Sequence, residues 1–241
     1  MRSFSILAIC IILVSCDQLQ QIAEEAGKST LPPTKTEISD GIREALQVGI
    51  KNAVFQTAQK NGFYNNSLIK IPFPPEAAKV EKTVRDLGLG KQVDQFVETL
   101  NHGAEEAAQR ATPVFISAIK QMTIQDVYDI WRGDNDAATR YLQLTTQDKL
   151  IAEFRPVIKQ ALDEVDITRY WNPLITTYNQ LPLTNDLNPN LDEYVLDRAM
   201  NGLFLVLAQE EEKIREDPAA RVTDLLKKVF GYQGPDPAGI N

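Results

Sequence analysis

Apolar residues recur at the spacing of an α-helix along most of the chain, and this periodicity limits the fold more than any other feature. Beyond residue 37 the apolar and small side chains fall three and four positions apart, first at Ile38, Ile42, Ala45, Leu46, Gly49, Ala53 and Val54. The pattern returns at Val93, Phe96, Val97, Leu100, Ala104, Ala107 and Ala108. Side chains at this period line one face of a helix, which other helices must cover. The sequence therefore predicts an all-α fold.

Capping and helix-breaking residues divide this pattern into about 8 to 10 helices. Gly88 is typical of a helix C-terminus, and Thr123 followed by Asp126 is typical of a helix start. Thr146 is interpreted as the start of a long helix, with a kink at Pro156.

The longest helix is expected at Leu191–Glu216. Its middle, residues 200–208, is apolar or small on all sides apart from Asn201, which predicts a central helix that others enclose. No fixed-period repeat is present, so we expect a single compact multi-helix domain over residues 37–231, followed by a flexible tail at 232–241.

Two proline-containing stretches, residues 67–75 and 181–189, interrupt the helical pattern. The first alternates Ile69, Ile71 and Phe73 with other residues, which is the period of a half-buried extended chain. We expect two short extended segments that lie side by side, because neither stretch is long enough to build a sheet.

The N-terminus has the order of an export signal. Arg2 precedes an apolar run at residues 4–14, which is shorter than the roughly 18 to 20 apolar residues that span a bilayer. The motif at residues 13–16, Leu-Val-Ser-Cys, resembles the bacterial lipobox, whose cysteine thiol receives a diacylglycerol before the signal is cleaved. This predicts cleavage of residues 1–15 and lipidation of Cys16. The alternatives are an ordinary secretory signal with an incidental cysteine, or a buried N-terminal helix.

Residues 16–36 form the expected tether between this anchor and the helical domain. They are rich in Gln, Glu, Ser, Thr and Pro, and about 20 extended residues reach roughly 65 Å. We therefore expect the protein in the bacterial cell envelope, lipid-anchored and facing the periplasm. The choice between inner and outer membrane stays open.

The composition argues against several functions. A net charge of −8 disfavours nucleic-acid binding, which requires an excess of Lys and Arg. Two cysteines and one histidine are too few for a zinc cluster, and any Ser-His-Asp triad would have to use His102. Glu98 and His102 share a helix face, which is interpreted as an ordinary side-chain pair. Neither a metal site nor a cofactor is expected.

Six residues are candidates for ligand binding. Lys91 follows two glycines at a helix start, where an anion can bind, but the P-loop spacing is missing and a tight turn explains the glycines. Arg155 lies in a largely apolar helix and needs a carboxylate partner. The other four candidates, Trp131, Asp134, Asp136 and Arg140, crowd one loop. They suit a polar ligand, although helix capping by an Asp and an Arg–Asp pair is the structural alternative.

Several motifs resemble those of the bacterial domain of unknown function 4197 family, over about residues 37–231. They are Asn61-Gly62-Phe63-Tyr64-Asn65-Asn66, Ile69-Lys70-Ile71-Pro72, Leu87-Gly88-Leu89-Gly90-Lys91, Lys120-Gln121-Met122-Thr123, Gly133-Asp134-Asn135-Asp136-Ala137-Ala138-Thr139, Phe154-Arg155-Pro156 and the run from Arg221 to Gly231. The resemblance implies proteins that are often exported or lipidated. It implies no activity and no catalytic residues.

The sequence favours a lipid-anchored envelope domain that binds an envelope protein or a small apolar ligand and performs no chemistry. No nucleophile–base motif, metal cluster or nucleotide loop is evident in it. The alternative is an envelope hydrolase that works with carboxylates alone, since paired acids are abundant. A third interpretation is a purely structural envelope protein.

Overall fold

The computed structural model describes residues 31–163, Trp171, residues 190–235 and residue 237. Within these residues 77% of the chain is helical and no strand forms, so the predicted all-α fold is confirmed. The signal, Cys16, most of the tether and the second extended segment at residues 181–189 lie outside the described residues. No helix in the described part of the chain is both long and apolar enough to cross a membrane.

Eight α-helices follow one another in the described residues. They are α1 (Lys35–Ala58), α2 (Ala78–Asp86), α3 (Gly90–Ala108), α4 (Ala111–Gln121), α5 (Ile124–Arg132), α6 (Ala137–Asp163), α7 (Leu191–Glu216) and α8 (Asp224–Gly231), with 3₁₀ turns at Pro75–Ala77 and Pro218–Ala220. The most extensive helix–helix packing joins α6 to α3, α7 to α1 and α7 to α6. These helices enclose one hydrophobic core.

Local capping explains where several helices begin. Thr34 starts α1: its hydroxyl accepts the N–H of Glu37 at 3.2 Å, and the Glu37 carboxylate accepts the N–H of Thr34 at 2.8 Å. Thr123 and Asp126 make the same reciprocal pair at the start of α5, as predicted. Gly88 has a φ of +83° after the end of α2, which confirms the predicted helix stop, because only glycine adopts this conformation without strain.

The expected helix start at Thr146 is wrong. Thr146 lies inside α6, which is 27 residues long and therefore exceeds α7 by one residue. The Thr146 hydroxyl donates to the carbonyl oxygen of Leu142 at 2.5 Å, one turn back, so it does not cap a new helix. α6 also continues through Pro156.

The helix predicted at Leu191–Glu216 is present as α7, with these bounds. Most of its middle is buried, including Leu203, Phe204 and Leu207. The expectation of a fully enclosed helix is wrong on one side, because Leu205 keeps 42% of its surface exposed.

Two buried polar residues of α3 hold the irregular segment at residues 61–73. The Glu105 carboxylate accepts the backbone N–H groups of Asn61, Phe63 and Tyr64 at 3.0, 3.1 and 3.3 Å. One turn earlier, the Asn101 amide accepts the N–H of Ile71 and donates to its carbonyl, both at 2.8 Å. α3 therefore supplies hydrogen bonds that a neighbouring strand would supply in a sheet.

The three alternating apolar residues of this segment face the core. Ile69, Ile71 and Phe73 are 6%, 0% and 8% exposed. Phe73 also packs against the rings of Phe96 and Trp171, with centroids 5.2 and 5.5 Å away.

The predicted extended conformation is wrong at residues 67–69, which form a turn in which the N–H groups of Ile69 and Lys70 donate to the carbonyl of Asn66 at 3.1 and 2.8 Å.

α8 packs against the first turns of α1. A Cβ on Gly41 would lie 2.7 Å from Val229 Cγ2, so the missing side chain allows the close approach. Lys228 Nζ lies 2.6 Å from Glu37 Oε1 and joins the same two helices. That hydrogen bond, followed by the bonds from Thr34, lowers the pKa of Glu37 to about 2.

Candidate functional site

The loop between α5 and α6, residues 133–136, contains Asp134 and Asp136 of the cluster singled out in the sequence, whereas Trp131 lies in α5 and Arg140 in α6. α5 ends at Arg132, and the N–H of Gly133 donates to the carbonyl of Ile130 at 3.2 Å. A Cβ on Gly133 would lie 2.5 Å from Ala137 Cβ and 2.8 Å from the Asp129 carbonyl oxygen. Glycine is therefore required for so tight a passage from one helix to the next.

Arg140 joins the two acids of this loop. Its Nη1 lies 2.5 Å from Asp136 Oδ1, and its Nη2 lies 3.1 Å from Asp134 Oδ2. The hydrogen bond with Asp134, together with the negative charges of both acids, raises the pKa of Arg140 above its usual value. All three side chains stay about half exposed or more, so the ion pairs shape the surface without burying charge.

A buried ion pair beneath the loop fixes the start of α6. The Glu211 carboxylate of α7 accepts the N–H groups of Ala138 and Thr139 at 2.9 and 2.8 Å. It also pairs with Arg215 at 2.9 Å, and Arg215 in turn donates to the carbonyl of Ile130 at 2.8 Å. The sequence assigned capping to Asp134 or Asp136. The carboxylate that meets these two N–H groups instead comes from a helix over 70 residues away along the chain.

Two open grooves flank the loop. We call the first the acidic groove; it has a volume of about 660 Å³ and is lined by Asp134, Asn135, Asp136, Leu205, Ala208, Gln209 and Glu212. We call the second the aromatic groove; it has a volume of about 330 Å³ and is lined by Trp131, Arg132, Asn135, Arg215, Val229, Phe230, Tyr232 and Gly234. Asn135 borders both, so one loop presents two surfaces of different chemistry. Both volumes fall within the roughly 300–1,000 Å³ that is usual for ligand sites.

An apolar crevice lies between α1 and α7, and Phe230 and the Glu211–Arg215 pair also line it. Its volume of about 20 Å³ is the space of a single water molecule. The crevice therefore does not accommodate an apolar ligand in this structure.

The structure brings four of the predicted site residues together and leaves two apart. Trp131 lines the aromatic groove, Asp134 and Asp136 line the acidic groove, and Arg140 bonds to both acids. Lys91 is exposed in the first turn of α3 and lines neither groove.

Arg155 has the carboxylate partner that the sequence required, but at the surface. Its Nη1 lies 2.8 Å from Glu193 Oε1, and the two side chains are 45% and 44% exposed. It lines neither groove. The pair therefore joins α6 to α7 at the surface.

His102 sits between two carboxylates of its own helix. Its Nε2 lies 3.9 Å from Glu98 Oε1 and 3.8 Å from Glu105 Oε2, and 3.4 Å from Asn61 Oδ1. Glu105 is already engaged by three backbone N–H groups. Among the described residues no group of His, Cys, Asp and Glu side chains has the arrangement of a metal site.

The groove residues that come from α7, α8 and the segment after α8 were not predicted from the sequence. Leu205 and Glu212 are seven positions apart, and Ala208 and Gln209 lie three or four positions from each, so all four share one face of α7. Nothing local marks that face as open. Phe230 lies in the last turn of α8 and Tyr232 directly follows it, so their approach to Trp131 depends on how α8 packs. Only the tertiary arrangement brings these side chains together.

A family profile described as "Protein of unknown function (DUF4197)" matches residues 32–231. Curated proteins and solved structures give no match to the chain. The matched span begins before α1 and ends with α8, so it contains the loop and nearly all of both grooves.

Proposed function

The chain belongs to the DUF4197 family of proteins of unknown function, and we propose that it is a binding domain held at a bacterial envelope membrane by lipidated Cys16. In this proposal the loop at residues 133–136 and its two grooves engage a partner, and the domain carries out no chemistry.

The observation that carries the binding role is the pair of grooves on either side of one braced loop. Arg140 fixes Asp134 and Asp136, while the Asn135 amide bonds to Glu216 of α7 on the other side. Side chains that are already held in place lose little entropy on binding, so a braced polar loop favours recognition.

The anchor is supported by the lipobox-like sequence before Cys16 and by the stretch that follows it. Residues 17–34 separate Cys16 from the start of α1 at Lys35. A stretch of this length reaches about 60 Å when it is extended, which lets the domain meet partners away from the bilayer.

The alternative is an envelope hydrolase that works with carboxylates. Two of the three acids that line the acidic groove, Asp134 and Asp136, are bonded to the Arg140 guanidinium. A general acid must hold a proton, and a neighbouring guanidinium opposes that state. This arrangement favours recognition over catalysis.

Photo-crosslinking in intact cells tests the binding role. A photoreactive phenylalanine analogue replaces Trp131 in the aromatic groove, and in the control it replaces Phe55, which is 70% exposed on α1 and lines neither groove. We expect a discrete adduct from position 131 only. Equal adducts from both positions, or none from position 131, would overturn the proposal.

Metabolic labelling with an alkyne fatty acid tests the anchor. Wild-type protein and the Cys10→Ser control should carry the label, because Cys10 lies within the predicted signal. Cys16→Ser should lose both the label and the membrane fraction. Label on Cys16→Ser, or an unlabelled wild type, would contradict lipid anchoring.

A further inference from the structure

One face of α7 is exposed along the helix, through Arg198, Asn201, Leu205 and Glu212, and Leu205 is the large apolar residue on it. Leu205 is 42% exposed, while its neighbours Phe204 and Val206 are 6% and 1% exposed. Ala208 and Gln209 continue this face by one turn, and all three residues line the acidic groove. A leucine at the base of an open groove offers apolar surface to whatever binds there.

Carboxylates surround this apolar base. Asp134 and Asp136 contribute from the loop and Glu212 from α7. Arg140 bonds to the two aspartates, whereas no ion pair to Glu212 is found within the described residues. Three carboxylates against one guanidinium leave the groove with net negative charge, on a chain whose overall charge is already −8.

We propose that the acidic groove binds a segment of a partner protein that presents Lys or Arg side chains beside an apolar side chain. This inference rests on the proposed binding function and specifies the chemistry of the partner. The apolar side chain packs on Leu205 and Ala208, and the cations lie against Glu212 and Asp134. The amides of Asn135 and Gln209 are placed to bond polar groups of the segment.

Charge complementarity selects this occupant over others. Phosphates of a nucleic acid and anionic lipid headgroups would be repelled by the same carboxylates. A groove of about 660 Å³ that is open to solvent also suits a peptide segment better than a small enclosed ligand.

The probe for this proposal is a fluorescent hexapeptide, Lys-Leu-Lys-Lys-Leu-Lys, titrated against the protein purified from membranes in nonionic detergent at about 0.1 M salt, where the screening length is about 10 Å. Anisotropy gives the dissociation constant. The double variant Asp134→Asn/Glu212→Gln should bind at least about fivefold more weakly, because two of the carboxylates facing the cations are neutral.

A matched control separates this site from the general acidity of the chain. Asp148→Asn/Glu153→Gln removes the same charge from exposed positions of α6 that line neither groove. Its affinity should stay within about twofold of wild type, because exposed charges far from the peptide are largely screened. Equal weakening by both double variants would overturn the proposal.

Leu205→Ser tests the apolar half of the site. We expect weaker binding with an unchanged dependence on salt, since the substitution removes apolar contact and no charge. Unchanged affinity would mean that the contact is purely electrostatic and would overturn the mixed chemistry. A positive crosslink from position 131 together with a failed peptide titration would remove this inference and leave the binding function in place.

Discussion

Two irregular stretches of the described chain, residues 61–73 and residues 133–136, are both held by acidic or amide side chains but in opposite ways. In the first stretch, Glu105 and Asn101 are buried and bond to backbone groups. In the second stretch, Asp134 and Asp136 are exposed and bond to the Arg140 side chain. The first set of polar groups faces the core, and the second faces solvent.

This difference indicates that the polar residues of the first stretch serve folding, whereas those of the second stretch are available for recognition. Hydrogen bonds between buried polar groups matter for stability, because removal of one partner leaves the other buried without a hydrogen bond from protein or water. Exposed ion pairs contribute little to stability, with a median of about 0–1 kcal/mol. The 61–73 segment is thus accounted for by the fold, whereas the charges of the 133–136 loop are free to serve a partner.

The largest expected effect is that of Glu105→Gln. The new amide NH₂ would oppose a backbone N–H of Asn61, or those of Phe63 and Tyr64, so we expect a loss of about 3 kcal/mol in the free energy of unfolding. Urea denaturation measures it. The control is Glu106→Gln, at the next and exposed position, which should change stability by less than about 0.5 kcal/mol. Equal losses of stability in the two variants would contradict the proposed difference between buried and exposed acids.

Gly202→Ala should have the next largest effect. The added Cβ would lie 2.6 Å from Phe63 Cε1 and 3.2 Å from Ile69 Cβ, where the buried segment meets α7. We expect destabilisation of about 1–3 kcal/mol from this overpacking. Gly49→Ala is the matched control, because its nearest neighbour would be 3.8 Å away and alanine favours the helix. Thermal melts should therefore show opposite signs, and the same sign for both would contradict the packing argument.

The Glu37–Lys228 pair is an intermediate case, with side chains 33% and 31% exposed. Since the folded pKa of Glu37 is about 2 and its usual value is 4.5, the pair stabilises the fold above pH 4.5 and loses this contribution as the pH falls to 2. Lys228→Gln should raise the pKa of Glu37 toward its usual value, as read from an NMR titration. Lys227→Gln, which removes only the exposed pair with Asp224, should leave it unchanged; an equal rise would contradict the assignment.

Arg140→Ala should have the smallest effect on stability, within about 0.5 kcal/mol. It should nevertheless tighten binding of the Lys-Leu hexapeptide, because the guanidinium no longer neutralises Asp134 and Asp136, and we expect this gain to outweigh the loss of their bracing. Arg155→Ala removes a comparably exposed pair at Glu193 and should alter neither measurement. A large loss of stability in Arg140→Ala would mean that the 133–136 loop contributes to folding in the way that residues 61–73 do, and it would contradict the contrast.

The sequence was sufficient for the helices whose signals are local. The bounds of α7 and the Thr123–Asp126 cap depend on residues a few positions apart, and both predictions are confirmed. The helix start predicted at Thr146 was wrong because a threonine before an apolar run resembles an N-cap. Its hydroxyl instead donates to a carbonyl one turn back inside α6. Buried residues at every fourth position from Ala138 to Leu162 were the better indication of one continuous helix.

The site was only partly predictable, because its contacts span long distances in the chain. Trp131, Asp134, Asp136 and Arg140 were found because they lie within ten consecutive positions of the sequence. Glu211, by contrast, meets Thr139 from 72 positions away, and no local pattern encodes such a contact. Asn101 and Glu105 did carry a signal: they are polar residues within an apolar helix face, which is typical of buried polar groups with partners.

The contact between α8 and the first turns of α1 brings the N-terminal and C-terminal ends of the helical domain close together. Lys228 Nζ lies 2.6 Å from Glu37 Oε1. A short glycine–serine linker can therefore join residue 235 to residue 31. New termini can be opened at the exposed turn around Gly88, between Leu87 and Leu89, which are 73% and 43% exposed. A circular permutant built in this way is expected to fold, since residues 87–89 are all exposed in the described part of the chain.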